Sequence, residues 1–280
     1  MITVKAPAKI NLTLEVLGKR PDGYHEIRSV LQTIDLDDTL HFREARDVTV
    51  SCAMPGWSAE KSQVTKAAAL LQEYAGIKKG AEIRIEKRIP LQTGLGGDSS
   101  DGAAALRGLN ELWKLKLSDE KLTALAARLG SDAPFFVRGG TAVAEGRGET
   151  VAALPVVRKI RLVIIVPDIP VAPGKTARAY AALKPSHFTD GTITQKLADI
   201  IKTGQAVGPE ALFNVFEDIA VDVHPGLSYY ISGCIRSGVP IHLAGAGPAL
   251  FAIVDDKAAA AEFSKTAAEH RARAYITETL

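Results

Sequence analysis

The sequence predicts an α+β fold built in two lobes. Segments with the alternating pattern of strands and segments with helically spaced apolar residues are mixed along the chain, without the regular alternation of a parallel βαβ protein. With 280 residues, the chain exceeds one average domain. Its character changes after Leu154-Pro155, where a basic stretch leads into a new apolar segment. We therefore expect an N-terminal domain over residues 1–155 and a C-terminal domain over residues 156–280.

The first strand is the clearest element of the N-terminal part. Apolar residues occupy every second position of residues 8–16 and predict a half-buried strand, whose polar face carries Lys9, Asn11, Thr13 and Glu15. A polar turn follows at residues 18–23. Further strands are predicted at 24–34, 39–43, 47–52 and 82–87. Helices are predicted at 61–74, before Gly76, at 102–115, and from a Ser118 cap to about Gly130.

The C-terminal part mixes both element types as well. A buried strand is predicted at 162–166, and two more strands flank Gly245-Ala-Gly247-Pro248. Helices are predicted at 176–183, 192–202, 209–219, 226–237 and 257–270, and a last strand follows.

Composition narrows the classes of function. The 34 basic and 32 acidic residues leave a net charge of only +2, which argues against a surface that coats nucleic acid. Cys52 and Cys234 have no metal-ligand or redox spacing and suit a reducing compartment. Lysines interrupt the apolar start of the chain, and no segment approaches the ~18 apolar residues of a membrane span. We expect a cytoplasmic monomer or weak homodimer that binds neither membrane nor nucleic acid.

A glycine-rich loop is the main chemical signal. It reads Pro90-Leu-Gln-Thr-Gly94-Leu-Gly96-Gly97-Asp98-Ser99-Ser100-Asp101 and precedes the predicted helix 102–115. Glycines let backbone N–H groups approach an anion closely, and a helix start adds unpaired N–H groups and the positive end of its dipole. The loop therefore suits phosphate groups. The alternative is a structural turn in which Ser99, Ser100 or Asp101 caps the helix.

Two common nucleotide-binding patterns do not fit the sequence. The dinucleotide pattern needs glycine at the position of Ser99. The triplet Gly174-Lys175-Thr176 matches the end of a P-loop, but Ile169 occupies the position of the first P-loop glycine. We reject both patterns.

Five motifs, in order along the whole chain, resemble those of the GHMP kinases (galactokinase, homoserine kinase, mevalonate kinase and relatives). Three of them are Pro7-Ala8-Lys9-Ile10-Asn11-Leu12, residues 94–100 and Leu243-Ala-Gly-Ala-Gly247-Pro248. Asp22-Gly23-Tyr24-His25 and Gly130-Ser131-Asp132-Ala133-Pro134-Phe135-Phe136 resemble the members that act on a diphosphocytidyl-linked sugar alcohol of the non-mevalonate isoprenoid pathway. The resemblance implies an N-terminal ribosomal-protein-S5-like domain and a C-terminal ferredoxin-like α/β domain.

The resemblance also implies an activity and its catalytic residues. The activity is ATP-dependent phosphorylation of the 2-hydroxyl of 4-diphosphocytidyl-2-C-methyl-D-erythritol, with ATP and Mg²⁺ as cofactors. Asp132 would be the general base, and Lys9 would stabilise both this base and the charge on the transferring group. Asn11 would contact the substrate near its hydroxyl. Lys9 and Asn11 lie two apart on a strand, so both point from one face.

Binding residues follow from the same resemblance. Tyr24 and His25 would recognise the cytosine ring by stacking and hydrogen bonds, with Tyr180 on its other side. The residues implied to bind ATP are Pro90, Gly94, Leu95, Gly96, Gly97, Asp98, Ser99 and Ser100.

The chain departs from the family pattern at several of these or nearby positions, among them Gln92, Thr93 and Ala244. Asp98 and Asp101 stand where glycine and asparagine are usual, so both add negative charge near phosphates. We expect Asp98 to point away, to be paired or to share the Mg²⁺ of ATP, because like charges at short range repel. Ser62 stands in place of an asparagine usual near adenine.

Two alternatives stay open. Another GHMP kinase, for example a homoserine kinase, would not need the aromatic residues at Tyr24 and His25. A non-catalytic ligand-binding protein on the same fold would not need both Lys9 and Asp132.

Overall fold

The computed structural model describes residues 1–172, 174–235 and 238–280. Its strands are β1 (Ile2–Lys19), β2 (His25–Ala45), β3 (Val48–Cys52), β4 (Gly80–Glu86), β5 (Thr141–Gly146), β6 (Thr150–Ala153), β7 (Arg161–Val166), β8 (Phe213–Asn214), β9 (His242–Leu243), β10 (Leu250–Ile253) and β11 (Arg273–Glu278). Its α-helices are α1 (Gln63–Ala75), α2 (Gly97–Leu112), α3 (Asp119–Ala126), α4 (Ala133–Arg138), α5 (Lys175–Ala182), α6 (Thr192–Lys202), α7 (Ala220–Val223), α8 (Leu227–Ile235) and α9 (Lys257–Glu269). Short 3₁₀ turns lie at Pro185–His187, Pro209–Ala211 and Val215–Ile219.

The first sheet has the strand order β3-β4-β2-β1-β8, and β5 and β6 continue it beside another part of β2. The strands β1 and β2 form a long antiparallel pair that runs from Ile2 opposite Phe42 to Lys19 opposite His25. Helix α2 packs on both of these strands, and α1 and α4 pack on α2. The core formed in this way includes Phe42, Leu71, Leu106, Phe135 and Phe136.

The second sheet is antiparallel and has the order β11-β7-β10-β9. Helix α9 packs on β7 and β11. A further apolar core joins the two sheets, because Ile10, Leu12 and Ile34 of the first sheet belong to the same cluster as Ile164 and Phe251 of the second. The strand β1 therefore lies at the junction of the two halves, and the mixed α+β fold that the sequence predicted is confirmed.

The strand β1 is more deeply buried than predicted. The prediction of a half-buried strand is wrong, because Lys9, Asn11, Thr13 and Glu15 on the polar face are all buried as well. Helix α6 covers part of this face, where the Thr194 N–H donates to Glu15 Oε2 at 2.6 Å. The β1–β2 register is irregular between Pro7 and Ala8 and again between Asn11 and Thr13.

Most other predicted elements are present within a few residues. The predicted helix 192–202 has the bounds of α6. Gly76 ends α1 in the left-handed conformation, with φ 63°. The Ser118 hydroxyl caps α3 by accepting a bond from the Lys121 N–H. The predicted helix 226–237 corresponds to α8, and its residues 236 and 237 lie outside the described residues.

Three further predictions, about the bounds or type of secondary-structure elements, are wrong. The segments 24–34 and 39–43 form one long strand, β2. A shift in its register with β1, between Pro7 and Ala8, lets β2 continue through the residues between the two segments. Helix α2 begins at Gly97 rather than at residue 102, since glycine can cap a helix in the left-handed region. Residues 209–219 form two 3₁₀ turns around β8, which pairs with β1 and so joins the first sheet. The division into domains 1–155 and 156–280 stays a prediction.

Candidate active site

The strand β1 connects two glycine loops by its backbone. The Lys9 N–H donates to the carbonyl of Leu95 at 2.9 Å, and the Asn11 N–H donates to the carbonyl of Ala244 at 3.2 Å. Leu95 belongs to the glycine-rich loop (residues 90–97). Ala244 belongs to a second loop (residues 243–248), which we call the C-terminal glycine loop. Both loops therefore meet at one short stretch of strand.

The glycine-rich loop ends in an open helix N-terminus. Gly96 is the N-cap of α2 in the left-handed conformation, with φ 75°, and none of the side chains that the structure describes caps the helix. The first helical bond joins the Ser100 N–H to the Gly96 carbonyl at 2.9 Å, so the N–H groups of Gly97, Asp98 and Ser99 have no partner within the helix. Ser99, Ser100 and Asp101 consequently do not cap the helix, and the structural alternative to a phosphate loop loses its support.

Close packing explains why several of these positions are glycine. A Cβ atom on Gly96 would lie 2.7 Å from the ring of Phe136 and 3.0 Å from Lys9 Cγ. A Cβ atom on Gly245 would lie 3.0 Å from the Gly94 carbonyl oxygen and 3.3 Å from Lys9 Nζ. Larger residues would push the two loops apart or displace the lysine.

Lys9 and Asp132 meet beside this loop. Lys9 Nζ lies 3.5 Å from Asp132 Oδ2, and the two side chains are 6% and 41% exposed. Asp132 is the N-cap residue of α4, but its carboxylate makes no capping bond and stays open to the cleft. Lys9 Nζ also donates to Asn11 Oδ1 at 2.7 Å. The three residues that the resemblance placed at the reaction centre therefore form one cluster.

Ser29 was missed by the sequence analysis. Its hydroxyl accepts a bond from Asn11 Nδ2 at 2.7 Å and donates to the Thr13 carbonyl. This contact fixes which way the Asn11 amide faces, so that its oxygen meets Lys9. Ser29 lies on β2, 18 residues away along the chain, and no local motif marks it.

The two aspartates that depart from the family pattern both have protein partners. Asp98 Oδ1 accepts a bond from the Gln63 N–H at 3.2 Å, at the start of α1. Asp101 is buried and lies 2.6 Å from Lys87 Nζ, which also lies 2.6 Å from Asp38. Burial raises the pKa of Asp101 well above its usual value, and the nearby Asp38 acts in the same direction. Neither aspartate thus bonds to the N–H groups at the start of α2.

The predicted cytosine-binding residues lie together in a cleft of about 640 Å³. The ring of His25 stacks on that of Tyr180, with centroids 5.1 Å apart and an interplanar angle of 26°. Burial lowers the pKa of His25 and raises that of Tyr180. Tyr24 is 53% exposed, and the Arg147 guanidinium lies 4.7 Å from its ring centroid. Since His25 and Tyr180 touch, a base would lie against this pair rather than between its two rings.

Two further aromatic side chains border this cluster. Phe188 meets the edge of His25 with centroids 6.1 Å apart, and Phe216 meets Tyr180 at 4.9 Å. Neither residue could be identified from the sequence, because Phe188 follows one 3₁₀ turn and Phe216 lies within another, in a region without a recognisable motif.

A second cleft, of about 350 Å³, borders the glycine-rich loop. Trp57, Lys61 and Ser62 line its far side. The Ser62 hydroxyl accepts a bond from the Val64 N–H at 3.1 Å and so caps α1. Within residues 1–172, 174–235 and 238–280, no group of three or more His, Cys, Asp or Glu side chains could hold a metal ion. None of the helices described there is both long and apolar enough to cross a lipid bilayer.

The two clefts meet in the middle of the site. Both are lined by Gly94, Asp132, Lys175 and Thr176. The first cleft also contains Lys9, Asn11 and the aromatic cluster, whereas the second contains residues 89–99. Two ligands, one in each cleft, would therefore contact each other next to the Asp132 carboxylate, Lys175 and Lys9.

Comparisons with known proteins show the family to which the chain is similar. The family described as GHMP kinases N terminal domain matches residues 62–140. A 4-diphosphocytidyl-2-C-methyl-D-erythritol kinase from Dehalococcoides mccartyi is 46% identical over 100% of this chain and 99% of its own length. The crystal structure of a 4-(cytidine 5'-diphospho)-2C-methyl-D-erythritol kinase is 29% identical, with a TM-score of 0.83 and 99% of both chains covered.

A more distant structure shares the fold alone. The homoserine kinase from Cytophaga hutchinsonii is 18% identical, with a TM-score of 0.72 over 99% of this chain and 94% of its own.

Proposed function

The chain belongs to the GHMP kinases and, within them, to the family of 4-diphosphocytidyl-2-C-methyl-D-erythritol kinases, and from this premise we propose how its residues carry out the reaction. The reaction is transfer of the γ-phosphoryl group of ATP to the 2-hydroxyl of 4-diphosphocytidyl-2-C-methyl-D-erythritol. The observation that carries the proposal is the Lys9–Asp132 pair, 3.5 Å apart, at the junction of the two clefts.

Asp132 is the proposed general base. Its exposed carboxylate accepts the proton of the 2-hydroxyl while that oxygen forms a bond to the γ-phosphorus, and the bond from the γ-phosphorus to its bridging oxygen breaks as ADP leaves. Lys9, buried and fixed by Asn11, holds the carboxylate in place and offers positive charge to the transferring group. Asn11 orients the acceptor hydroxyl.

The open N-terminus of α2 is the proposed binding site for the ATP phosphates. The unpaired N–H groups of Gly97, Asp98 and Ser99 suit anionic oxygens, and the helix dipole favours negative charge there. Pro90, Gly94, Leu95, Gly96 and Ser100 shape or flank this loop.

Mg²⁺ fits the oxygen donors of the nucleotide cleft. The Ser99 hydroxyl and the Asp98 carboxylate line it. A cation that is bound largely through substrate phosphates needs only one or two protein oxygens. When bound, it neutralises charge on the phosphates.

The aromatic cluster is the proposed site for the cytosine ring. Tyr24 offers an exposed face for stacking, and His25 offers ring nitrogens to the polar edge of the base. Tyr180 holds the His25 ring and forms the other wall. This cluster disfavours a homoserine kinase, whose acyclic substrate has no ring to stack. The Lys9–Asp132 pair disfavours a purely ligand-binding role. We further propose a cytoplasmic protein, monomeric or weakly dimeric, that binds no nucleic acid.

A coupled ADP-release assay tests this function. We expect turnover when ATP, Mg²⁺ and the cytidyl substrate are supplied, and phosphorus NMR should locate the new phosphate on the 2-hydroxyl. An Asp132→Asn preparation purified in parallel controls for contaminating kinases and should lose about 10³-fold in kcat, with ATP affinity nearly intact. Turnover of homoserine, with none of the cytidyl substrate, would overturn the proposal.

A further inference from the structure

The junction of the two clefts contains a lysine that the mechanism above does not use. Lys175 is one of four residues that line both clefts, together with Gly94, Asp132 and Thr176. It comes from the C-terminal half of the chain, whereas Lys9 comes from β1. Its ammonium group is tied to the C-terminal glycine loop by a bond to the Gly247 carbonyl. Lys175 therefore lines the junction itself, whereas Lys9 lines the first cleft only and comes from a different element.

The position of Lys175 is unfavourable for a cation in the free protein. It is the first residue of α5, after the left-handed N-cap Gly174, where the helix dipole presents its positive end. Among residues 1–172, 174–235 and 238–280, no side chain caps this helix. Lys9 lies close enough to act on it electrostatically, and burial removes part of its hydration. Together, burial and Lys9 lower the pKa of Lys175 to about 8, although Asp132 acts in the opposite direction.

The remaining charged groups around Lys175 do not neutralise it. His224, at the end of α7, bonds through Nε2 to the Ala246 carbonyl at 2.7 Å, and Lys175 itself contributes to the lowered pKa of this histidine. Arg178 follows on the same helix α5. Asp132 is thus the one carboxylate that acts electrostatically on Lys175 among the described residues, and Lys9 already pairs with it. An anion brought by a ligand would complete the site.

We propose that Lys175 is a second cationic catalytic residue, which contacts the γ-phosphoryl oxygens of ATP during transfer. The inference rests on the proposed function and assigns different tasks to Lys9 and Lys175 within it. Lys9 is buried, bonded to Asn11 and close to the base, so it acts on the transferring group from the acceptor side. Lys175 approaches from α5 and serves the phosphoryl group, whose charge spreads over several oxygens in the transition state.

The proposal has a consequence for pH. An anion beside Lys175 stabilises the ammonium form and raises its pKa on binding. ATP affinity should therefore be full below the free-protein pKa and should fall as pH rises past it. With a pKa of about 8, the expected loss is about tenfold between pH 7.5 and pH 9. ADP lacks the γ-phosphate and should show a much flatter profile.

Lys175→Gln and Lys175→Arg separate this role from a structural one. Glutamine keeps a donor for the Gly247 carbonyl but removes the charge, so we expect kcat to fall about 10²- to 10³-fold. Arginine keeps a charge that does not titrate, so it should retain more activity and abolish the pH dependence of ATP affinity. Arg178→Gln on the same helix is the matched control and should leave both measurements unchanged.

The measurements are kcat with the cytidyl substrate and Kd for ATP and ADP by calorimetry across pH 7.5 to 9. A wild-type kcat in Lys175→Gln, or an unchanged ATP pH profile in Lys175→Arg, would overturn the role of Lys175. If the wild-type chain failed to phosphorylate the cytidyl substrate, the proposed function would fail instead, and the ATP profiles would still decide whether Lys175 meets the γ-phosphate.

Discussion

Helices α2 and α6 begin in the same way, but the N–H groups at their starts have different partners. Each follows a left-handed glycine, Gly96 with φ 75° and Gly191 with φ 84°. At α6, the Glu15 carboxylate accepts a bond from the Thr194 N–H at 2.6 Å, and Asp190 accepts one from the Thr192 N–H at 3.0 Å. At α2, no side chain among the described residues caps the helix.

The difference separates a structural helix start from one available to a ligand. Unpaired N–H groups and the helix dipole attract an anion at both places. At α6, the protein supplies that anion from β1 and from the preceding turn. At α2, two aspartates are present within the first turns, yet Asp98 bonds to Gln63 and Asp101 to Lys87. The N-terminus of α2 consequently stays free for phosphates, despite nearby acidic residues.

The largest expected effect comes from adding a methyl group at Gly96. Gly96→Ala would place its Cβ 2.7 Å from the Phe136 ring and 3.0 Å from Lys9 Cγ, so the lysine and the loop must move. A shift of about 1 Å at a reaction centre can cost about 10²-fold in rate, and we expect at least this loss in kcat/KM. Steady-state kinetics of the purified variant would measure it.

Gly191→Ala is the matched control for that variant. Its Cβ would meet Arg28 Cδ at 3.1 Å, and this flexible side chain can move away. The left-handed conformation costs alanine about 1–2 kcal/mol, so stability should drop while kcat stays at the wild-type value. Equal losses of kcat/KM in the two variants would contradict the distinction between a structural helix start and one that binds a ligand.

A smaller effect is expected when the anion at α6 is neutralised. Glu15→Gln keeps the shape of the side chain but removes the charge that faces the helix dipole. Because this carboxylate is fully buried, we expect the free energy of unfolding to fall by about 1–2 kcal/mol, as measured by urea denaturation. Asp190→Asn, on the exposed side of the same terminus, should cost less. A loss of ATP affinity without a loss of stability would contradict a structural role for Glu15.

The last expected effect, at Asp101, concerns only the pH dependence of stability. Its pKa is raised in the folded protein by burial, so the native state holds a proton that the unfolded chain releases near its ordinary pKa. Wild-type stability should therefore decline relative to Asp101→Asn as pH rises from about 4 through the raised pKa. Urea unfolding at several pH values measures this difference. A constant difference across that range would mean that Asp101 is already ionised at low pH.

Residues within local motifs were predictable, whereas contacts made across the fold were not. Lys9 and Asp132 each belong to a short motif, so their roles could be proposed before their 3.5 Å contact was known. Ser29 touches Asn11 only because β1 and β2 pair in one particular register. The burial of the polar face of β1 likewise depends on α6, which lies about 180 residues later in the sequence.

Lys175 was given no role once the P-loop pattern had been rejected, although its position in the sequence carries information. The triplet Gly174-Lys175-Thr176 is not a P-loop, because no glycine precedes it at the required spacing. Yet a lysine directly after a helix-capping glycine opposes the helix dipole, and an anion bound nearby would relieve this conflict. Its contact with Gly247, 72 residues away, could not be inferred from the sequence.

The two backbone hydrogen bonds from β1 to the glycine loops let the strand fix the spacing of these loops. They start at residues 9 and 11, and a strand advances about 3.3 Å per residue, so the two loop carbonyls are held about 6.6 Å apart along it. The backbone geometry of the strand, rather than the fit of surrounding side chains, sets this interval between the two loops. The interval should therefore persist in distant relatives whose cores are filled by quite different residues.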